Sequence, residues 1–396
     1  MKILHVSESL IGGPASYLQE ILPFQTREFS AENVALLAPT PHLEQLAGQF
    51  NGVVEPYNRS GRNLASLWRL AVALRRTLLR ERPDIVHFHS SFAGAIGRLT
   101  LLTVRPRPRT LYCAHCWSFD RTRRTPAVRL WQVVERWLSR FTDRIINLSP
   151  HEQDLLRGAG FPMQRVALVV SGIADIDPSR RPPLATRPSG APLRILFLGR
   201  FDEQKGADLL VDDLASVDPA RATVDLGGGR VLDGPELTIP AGVTMLGWVQ
   251  RAKLPELLTQ YDAVVMPSRW EGLSIWALET LRSGRPLIGS NRGVFPYIIE
   301  DGVNGIIIDI DRPGFLNRAI AVLEKSDLPA MGAAARRTYE QTFRSDHMNE
   351  ALVAVYRELA GGRPQETDAV QGAASAAYPP AVRDVASRSE AAKRRL

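Results

Sequence analysis

Cysteine is nearly missing from this chain, two in 396 residues, and two thiols cannot build a disulfide framework. Long apolar runs are missing too. No stretch reaches the roughly 18–20 residues that a membrane-crossing helix needs, which excludes an integral helical membrane protein. A basic leader followed by an apolar segment is also lacking, because the first residues enter a β-type run at once, Lys2-Ile3-Leu4-His5-Val6. The expectation is a chain without a secretory signal that resides in the cytoplasm. What the chain does have is an ordinary globular mixture, 44% hydrophobic and 23% charged residues, so a mainly disordered chain is excluded. Its length suits two domains of roughly 150–200 residues, each with a buried core.

Lysine is scarce in the first half. Residues 1–172 carry 22 Lys and Arg against 13 Asp and Glu, a balance of +9, and all but Lys2 of those cations are arginine. Residues 173–396 carry 27 against 29, a balance of −2, so the net +7 of the chain hides an asymmetry. An arginine-rich face suits phosphate, whether of nucleic acid, anionic lipid or a phosphorylated acceptor.

Short apolar runs alternate with stretches of helical period. Strands are predicted at Lys2–Ser7, Asn33–Leu37, Asp84–His89, Thr110–Cys113 and Arg144–Leu148, and helix at Asn63–Arg80, where Leu64, Leu67, Trp68, Ala71, Leu74 and Leu78 recur on one face. A proline-rich stretch without periodicity follows, from Ser171 to Leu193. A second series then begins: Arg194–Leu198, Thr223–Leu226, Val243–Met245, Ala263–Met266, Pro286–Ile288 and Gly305–Ile308. This βαβα rhythm with continuously apolar strands predicts α/β architecture, two doubly wound Rossmann-like parallel-sheet domains facing a cleft. The expected boundaries are 1–172 for the first domain, 173–193 for a linker, 194–345 for the second domain and 346–360 for a C-terminal helix. Residues 361–396, dominated by Ala, Gly, Ser, Pro and charge, are expected to form a disordered tail.

Two segments carry chemistry. The strand Arg194–Gly199 is followed by Arg200 and then by Lys205-Gly206, which places two cations at one strand's carboxyl end. A diphosphate needs this pair, a planar fork and a point charge. The second segment runs from Asp262 through the strand into Arg269-Trp270-Glu271-Gly272-Leu273-Ser274 and a helix from Ile275, closed by Gly284. The entrance of that helix is an anion site. Glu271 stands before it and Glu279 about a turn and a half inside, suited to sugar hydroxyls on either side of a diphosphate; a capped helix with surface glutamates is the plainer alternative.

The combination of Gly199-Arg200-x4-Lys205-Gly206, Glu271-x7-Glu279 and Glu300-Asp301-Gly302-x-Asn304-Gly305 resembles the GT-B-fold retaining glycosyltransferases of family GT4, the glycosyl transferases group 1, over about residues 1–360. The resemblance implies that Glu271 sits by the transferred sugar and that Glu279 holds the nucleotide's ribose. It implies that Arg200 and Lys205 bind the diphosphate, helped by backbone amides at Gly272, Leu273 and Ser274. Gly247, Trp248 and Val249 match the place of the nucleobase. In the first half, Gly12 and Gly13 match the acceptor-side loop and His115 a histidine that reaches the transferred sugar. His87 and His89 look like the family's strand-end pattern, with strand packing as the alternative. Ser171, Ser274, Trp276 and the Gly293–Tyr297 stretch depart from the pattern at positions bordering the sugar pocket, so no donor sugar is inferred.

The implied activity is transfer of a hexosyl unit from a nucleoside-diphosphate sugar, UDP- or GDP-linked, to a sugar or polyprenyl-linked glycan acceptor in surface polysaccharide or lipopolysaccharide assembly. Two readings stay open beside it: a sugar-nucleotide epimerase of the same fold, and a non-catalytic nucleotide-sugar or nucleic-acid binder. No nucleic-acid module is recognised, and nucleic acid is not expected as a partner. A cofactor is not expected and no metal is required, since two cations and a helix entrance meet the diphosphate charge. Cys113-Ala114-His115-Cys116 lacks a second ligand cluster in the sequence, and Asp175-x-Asp177 and Asp309-x-Asp311 are read as structural. The arginines at 69, 75, 76, 80 and 82, and at 121, 123, 124, 129, 136, 140 and 144, interleave with Trp131, Trp137 and Phe141. Beside the ordinary reading of a solvated face, they suit peripheral attachment to an anionic membrane surface.

Overall fold

The computed structural model describes residues 1–46, 48–121, 125–177, 179, 188, 190–231, 234 and 236–361. Arg123 and Arg124, much of the 173–193 linker and nearly all of the 361–396 tail lie outside the described residues. The described chain divides into two compact units, one of Met1–Ala174 with the segment from Ser345, the other of Asp175–Arg344.

In the first unit seven strands, β1 (Ile3–Ser7), β2 (Val34–Pro39), β3 (Val53–Tyr57), β4 (Ile85–His89), β5 (Arg109–Cys113), β6 (Arg144–Asn147) and β7 (Val166–Leu168), form one sheet. Their order is β3-β2-β1-β4-β5-β6-β7, and every pairing is parallel. β1, β2 and β4 are buried at every position, which is why they read as unbroken apolar runs. Helices α1 (Gly13–Phe29), α2 (Leu64–Glu81), α3 (Ser91–Thr100), α4 (Pro126–Leu138) and α5 (Pro150–Gly158) cover the two faces. Their starts are fixed locally: Asn63 accepts from Ser66 N at 2.8 Å, and Thr125 and Ser149 cap α4 and α5 in the same way.

The second unit repeats the plan with six parallel strands, β8 (Leu193–Phe201), β9 (Ala222–Arg230), β10 (Thr244–Gly247), β11 (Ala263–Met266), β12 (Leu287–Ser290) and β13 (Gly305–Ile308), in the order β10-β9-β8-β11-β12-β13. Its helices are α6 (Ala207–Leu214), α7 (Leu254–Leu258), α8 (Ile275–Arg282), α9 (Phe295–Ile298), α10 (Phe315–Leu323) and α11 (Leu328–Thr342). The last helix, α12 (Ser345–Gly361), belongs to the first unit. Met348, Leu352, Val355, Tyr356 and Leu359 join the apolar core that α1 makes with the sheet.

In each sheet the strand order reverses once, between β1 and β4 and between β8 and β11. Crevices at the carboxyl ends of such strand pairs are where doubly wound sheets take ligands.

Candidate functional site

In the second unit, the end of β8 and the loop after β11 are tied together residue by residue. Arg200 Nε donates to Asp202 Oδ2 at 2.7 Å and an Nη donates to Gln204 Oε1 at 3.0 Å. These bonds orient the guanidinium while 42% of the side chain stays exposed. Asp202 Oδ1 accepts from Lys205 N at 2.9 Å. Gly206 follows with φ +67°, and a Cβ there would lie 2.1 Å from the Pro267 carbonyl oxygen, so only glycine lets this turn close on the next loop. Arg269 N then donates to Gln204 O at 2.8 Å, and Gln204 Nε2 to Trp270 O at 3.3 Å.

The result is an ion pair between Lys205 Nζ and the Glu271 carboxylate, both side chains largely buried. Glu271 is held from behind: Val294 N donates to its carbonyl at 2.9 Å. A Cβ on Gly293, at φ +57°, would sit 2.5 Å from that oxygen. Gly272, Leu273 and Ser274 lead from Glu271 into α8. Ser274 is extended and makes no side-chain cap bond, so the first-turn N–H groups of α8 are positioned for an anion. Arg200, Lys205, Glu271 and this helix entrance thus meet at the reversal point of one sheet.

Glu279 is placed differently. It is 0% exposed, with one carboxylate oxygen accepting from Arg251 Nε at 2.8 Å and the other paired with Arg282. Trp248 is 65% exposed, its indole lying over Gly229 of β9, and Val249 lies beside Gly227. Sequence reasoning missed Asp202, Gln204, Arg251 and Arg282. Arg282 carries a signal, three residues beyond Glu279 on one helix, whereas Arg251 carries none.

The first unit's reversal point sets buried imidazoles beside one ion-paired loop. Gly12 caps α1 and Gly13 opens it, and the preceding loop is braced by Glu8 pairing with Arg59 and Arg62 at 3.1 Å each. His115, half-buried at φ +54°, faces His89 Nδ1 with its Nε2 at 2.9 Å. Burial lowers its pKa to about 3 and that of His5 to about 4, and pushes His87 and His89 well below the ordinary imidazole value. Cys113 and Cys116 are unbridged thiols, and burial pushes the Cys113 thiol up. Asp175 pairs with Arg336, and Asp311 with Arg292.

On α4 of the same unit, Leu130, Val133 and Trp137 are exposed large apolar residues at helical spacing, beside exposed Arg129, Arg136 and Arg140. The helix is anchored inward by Glu135, wholly buried with Arg98 at 2.7 Å and accepting from Tyr112 OH at 2.8 Å. Leu64 and Trp68 of α2 are exposed as well. Among the described residues no helix is long and apolar enough to cross a membrane.

Comparison with known proteins agrees in both halves. Residues 11–175 match the family model of Glycosyltransferase Family 4, and residues 192–325 that of Glycosyl transferases group 1. The chain is 26% identical to a 41.2 kDa protein of the cps region of Klebsiella pneumoniae, covering 90% of this chain and 99% of that protein. It is 23% identical to the UDP-Gal:alpha-D-GlcNAc-diphosphoundecaprenol alpha-1,3-galactosyltransferase of Escherichia coli, over 67% of this chain and 73% of the enzyme. Among solved structures, HepE of Anabaena in complex with UDP-glucose superposes with a TM-score of 0.74 at 19% identity, covering 90% of this chain and all of the other. The lipopolysaccharide outer core galactosyltransferase WaaB follows the same fold at a TM-score of 0.65 and 20% identity, over 90% of this chain and all of WaaB. Two parallel-sheet domains of the GT-B kind are therefore the fold of this chain.

Proposed function

We propose, from a chain that is glycosyltransferase sequence in both halves, family 4 in the first and group 1 in the second, that it moves a hexosyl unit from a UDP- or GDP-sugar to a sugar or polyprenyl-linked glycan, with retention at the anomeric carbon. The observation that carries this reading is the convergence of Arg200, Lys205, Glu271 and the α8 entrance at one reversal point. The Lys205 ammonium has three donors; one serves Glu271 and the others suit diphosphate oxygens. The bond between the anomeric carbon and the phosphate oxygen breaks as the acceptor hydroxyl oxygen bonds the same carbon, and the hydroxyl's proton passes to the leaving diphosphate. Negative charge then grows on the leaving diphosphate, where fixed cations and dipoles stabilise it most. In this reading no divalent cation is needed for that charge, so turnover is expected to survive EDTA; complete loss on chelation, restored by magnesium or manganese, would overturn that.

Glu279 meets the donor by exchange in this reading. Arg251, 27% exposed at its side chain, gives way to a ribose hydroxyl that donates to the buried carboxylate, while Arg282 stays. Trp248, exposed beside β9, is the residue this reading assigns to stacking on the base. By the resemblance, His115 is assigned to the transferred sugar and the Gly12–Gly13 loop to the acceptor. The galactosyltransferase relative, named for a diphosphoundecaprenol-linked acceptor, supports a lipid-linked substrate and a surface glycan pathway. The exposed Leu130, Val133 and Trp137 among arginines support residence on the inner face of the cytoplasmic membrane.

The test is release of nucleoside diphosphate from UDP-, GDP- and ADP-sugars with and without lipid-linked acceptor. Acceptor-dependent release from one of them is expected. Isomerised sugar nucleotide without acceptor, or tight binding with no turnover across the panel, overturns the assignment.

A further inference from the structure

β1 and β4 pair in parallel with His5 opposite His87. Residues of like parity share a face of the sheet, so His89 joins them, two residues beyond His87. The three imidazoles stand wholly buried beneath α1 and α12, with ring centroids 4.1 to 5.5 Å apart.

Each ring uses one nitrogen outward and turns the other in. His5 Nε2 meets Gln25 Oε1 of α1 at 2.7 Å, His87 Nδ1 meets the Tyr356 hydroxyl of α12 at 2.8 Å, and His89 Nδ1 meets His115 Nε2 at 2.9 Å. Inward, His5 Nδ1 and His89 Nε2 lie 3.0 Å apart. His87 Nε2 is buried with no hydrogen-bond partner among the described residues, and so is the Tyr17 hydroxyl, whose ring lies 5.9 Å from that of His89. One ring nitrogen from each of the three histidines falls within 4.8 Å of the other two.

We propose that His5, His87 and His89 bind a divalent transition metal ion of the zinc class in the buried face of the first unit. Imidazole is a preferred donor for such ions, and an outer hydrogen bond on each ring's second nitrogen is the usual way a ligating histidine is oriented. Zinc–nitrogen bonds of about 2.0–2.1 Å in a tetrahedral array set donors about 3.4 Å apart. His5 and His89 therefore open by a few tenths of an ångström and His87 closes in. No proton need leave. With Gln25 oxygen accepting from His5, the proton between His5 and His89 passes to the outer nitrogen of His89, and the proton His115 held there passes to its own far nitrogen. The site is made of first-unit residues alone and stands whether or not the transferase reading does.

The experiment uses the untagged full-length chain, since a histidine tag binds metal itself, produced in medium with added zinc and, separately, cobalt. Total-metal analysis is expected to give about one zinc per chain, and the cobalt form a visible absorption band from imidazole coordination. His87→Gln is expected to lose at least nine-tenths of both signals, while His347→Gln, on the exposed face of α12, keeps them. Less than about a tenth of an equivalent of zinc together with no cobalt band in the wild-type chain overturns the site and leaves the orphaned groups to buried water. Full metal content in folded His87→Gln overturns it too; where that variant does not fold, the wild-type stoichiometry and cobalt band decide.

Discussion

The reversal points of the two sheets share a topology and differ in charge. At β8 and β11 the groups are ions: Arg200 braced by Asp202, Lys205 on Glu271, Glu279 between Arg251 and Arg282. At β1 and β4, apart from Glu8 paired with Arg59 and Arg62 in the loop beyond β1, they are imidazoles whose protonation burial suppresses. A parallel sheet offers the same crevice in both places, so what is taken there depends on whether side chains arrive charged. The second unit keeps its guanidinium partly exposed and prearranged for anionic oxygen. The first removes its imidazoles from water, where a full charge would be costly, and leaves neutral donors and lone pairs.

The sharpest way to break this contrast is to remove a cation from the second unit. Arg200→Ala or Lys205→Ala is expected to leave the fold intact and lower turnover by about 100-fold or more. Near-normal turnover in both variants, measured with saturating donor, means the ionic cluster is not where the leaving group is met. Lys205→Ala also strands Glu271 without its partner, so its melting temperature is compared with that of Lys205→Met, which preserves the stem.

Glu279→Gln asks whether the wholly buried pair serves the donor or only the fold. Removing one charge from a buried cluster costs about 3–5 kcal/mol of stability, and calorimetric titration is expected to show donor affinity about tenfold weaker as well. A lower melting temperature with unchanged donor affinity makes Glu279 a strut for Arg251 and Arg282 and nothing more.

A smaller effect is expected on the outside of the first unit. Replacing Arg129, Arg136 and Arg140 with serine should reduce co-flotation with anionic vesicles about threefold at physiological salt. Each cation near such a surface contributes at most on the order of 1 kcal/mol, and the Debye length there is only about 8 Å. If wild-type protein ignores anionic vesicles even at low salt, the α4 stripe is an ordinary surface.

The mildest effect concerns Glu152, which accepts from Leu148 N at 2.7 Å and Cys116 N at 3.1 Å behind His115. Burial raises its pKa from 4.5 to about 7. The folded state therefore holds the proton more tightly than the unfolded one. Its contribution to stability is complete below about pH 4.5 and is lost as pH rises through about 7. Between pH 5.5 and 8.5 the melting temperature is expected to fall by about 2–4 °C more in wild type than in Glu152→Gln. Equal pH dependence in the two proteins removes Glu152 as the cause.

Much of the fold was legible because it is written locally. Continuous apolar runs gave both strand series, and β13 runs from Gly305 to Ile308 as expected. β3 and β7 escaped notice for a physical reason: β3 is a half-exposed edge strand containing Pro56, and β7 is a three-residue strand at the other edge, so neither repeats the buried pattern. At the site, Arg200, Lys205, Glu271 and the α8 entrance could be picked out because each stands at a strand end or helix start, positions that short-range pattern marks. The partners of Glu279 could not, since Arg251 lies 28 residues away on a segment with no motif.

By itself the sequence determined the periodicities and the caps, because backbone sterics and solvent preference act on near neighbours. Tertiary structure decided which charges meet and which polar groups lose water. Lys205 and Glu271 are 66 residues apart, His5 and His89 are 84, and Tyr356 reaches His87 across 269. Pairing and desolvation depend on distance in space, and distance in space between such residues exists only once the sheets have formed.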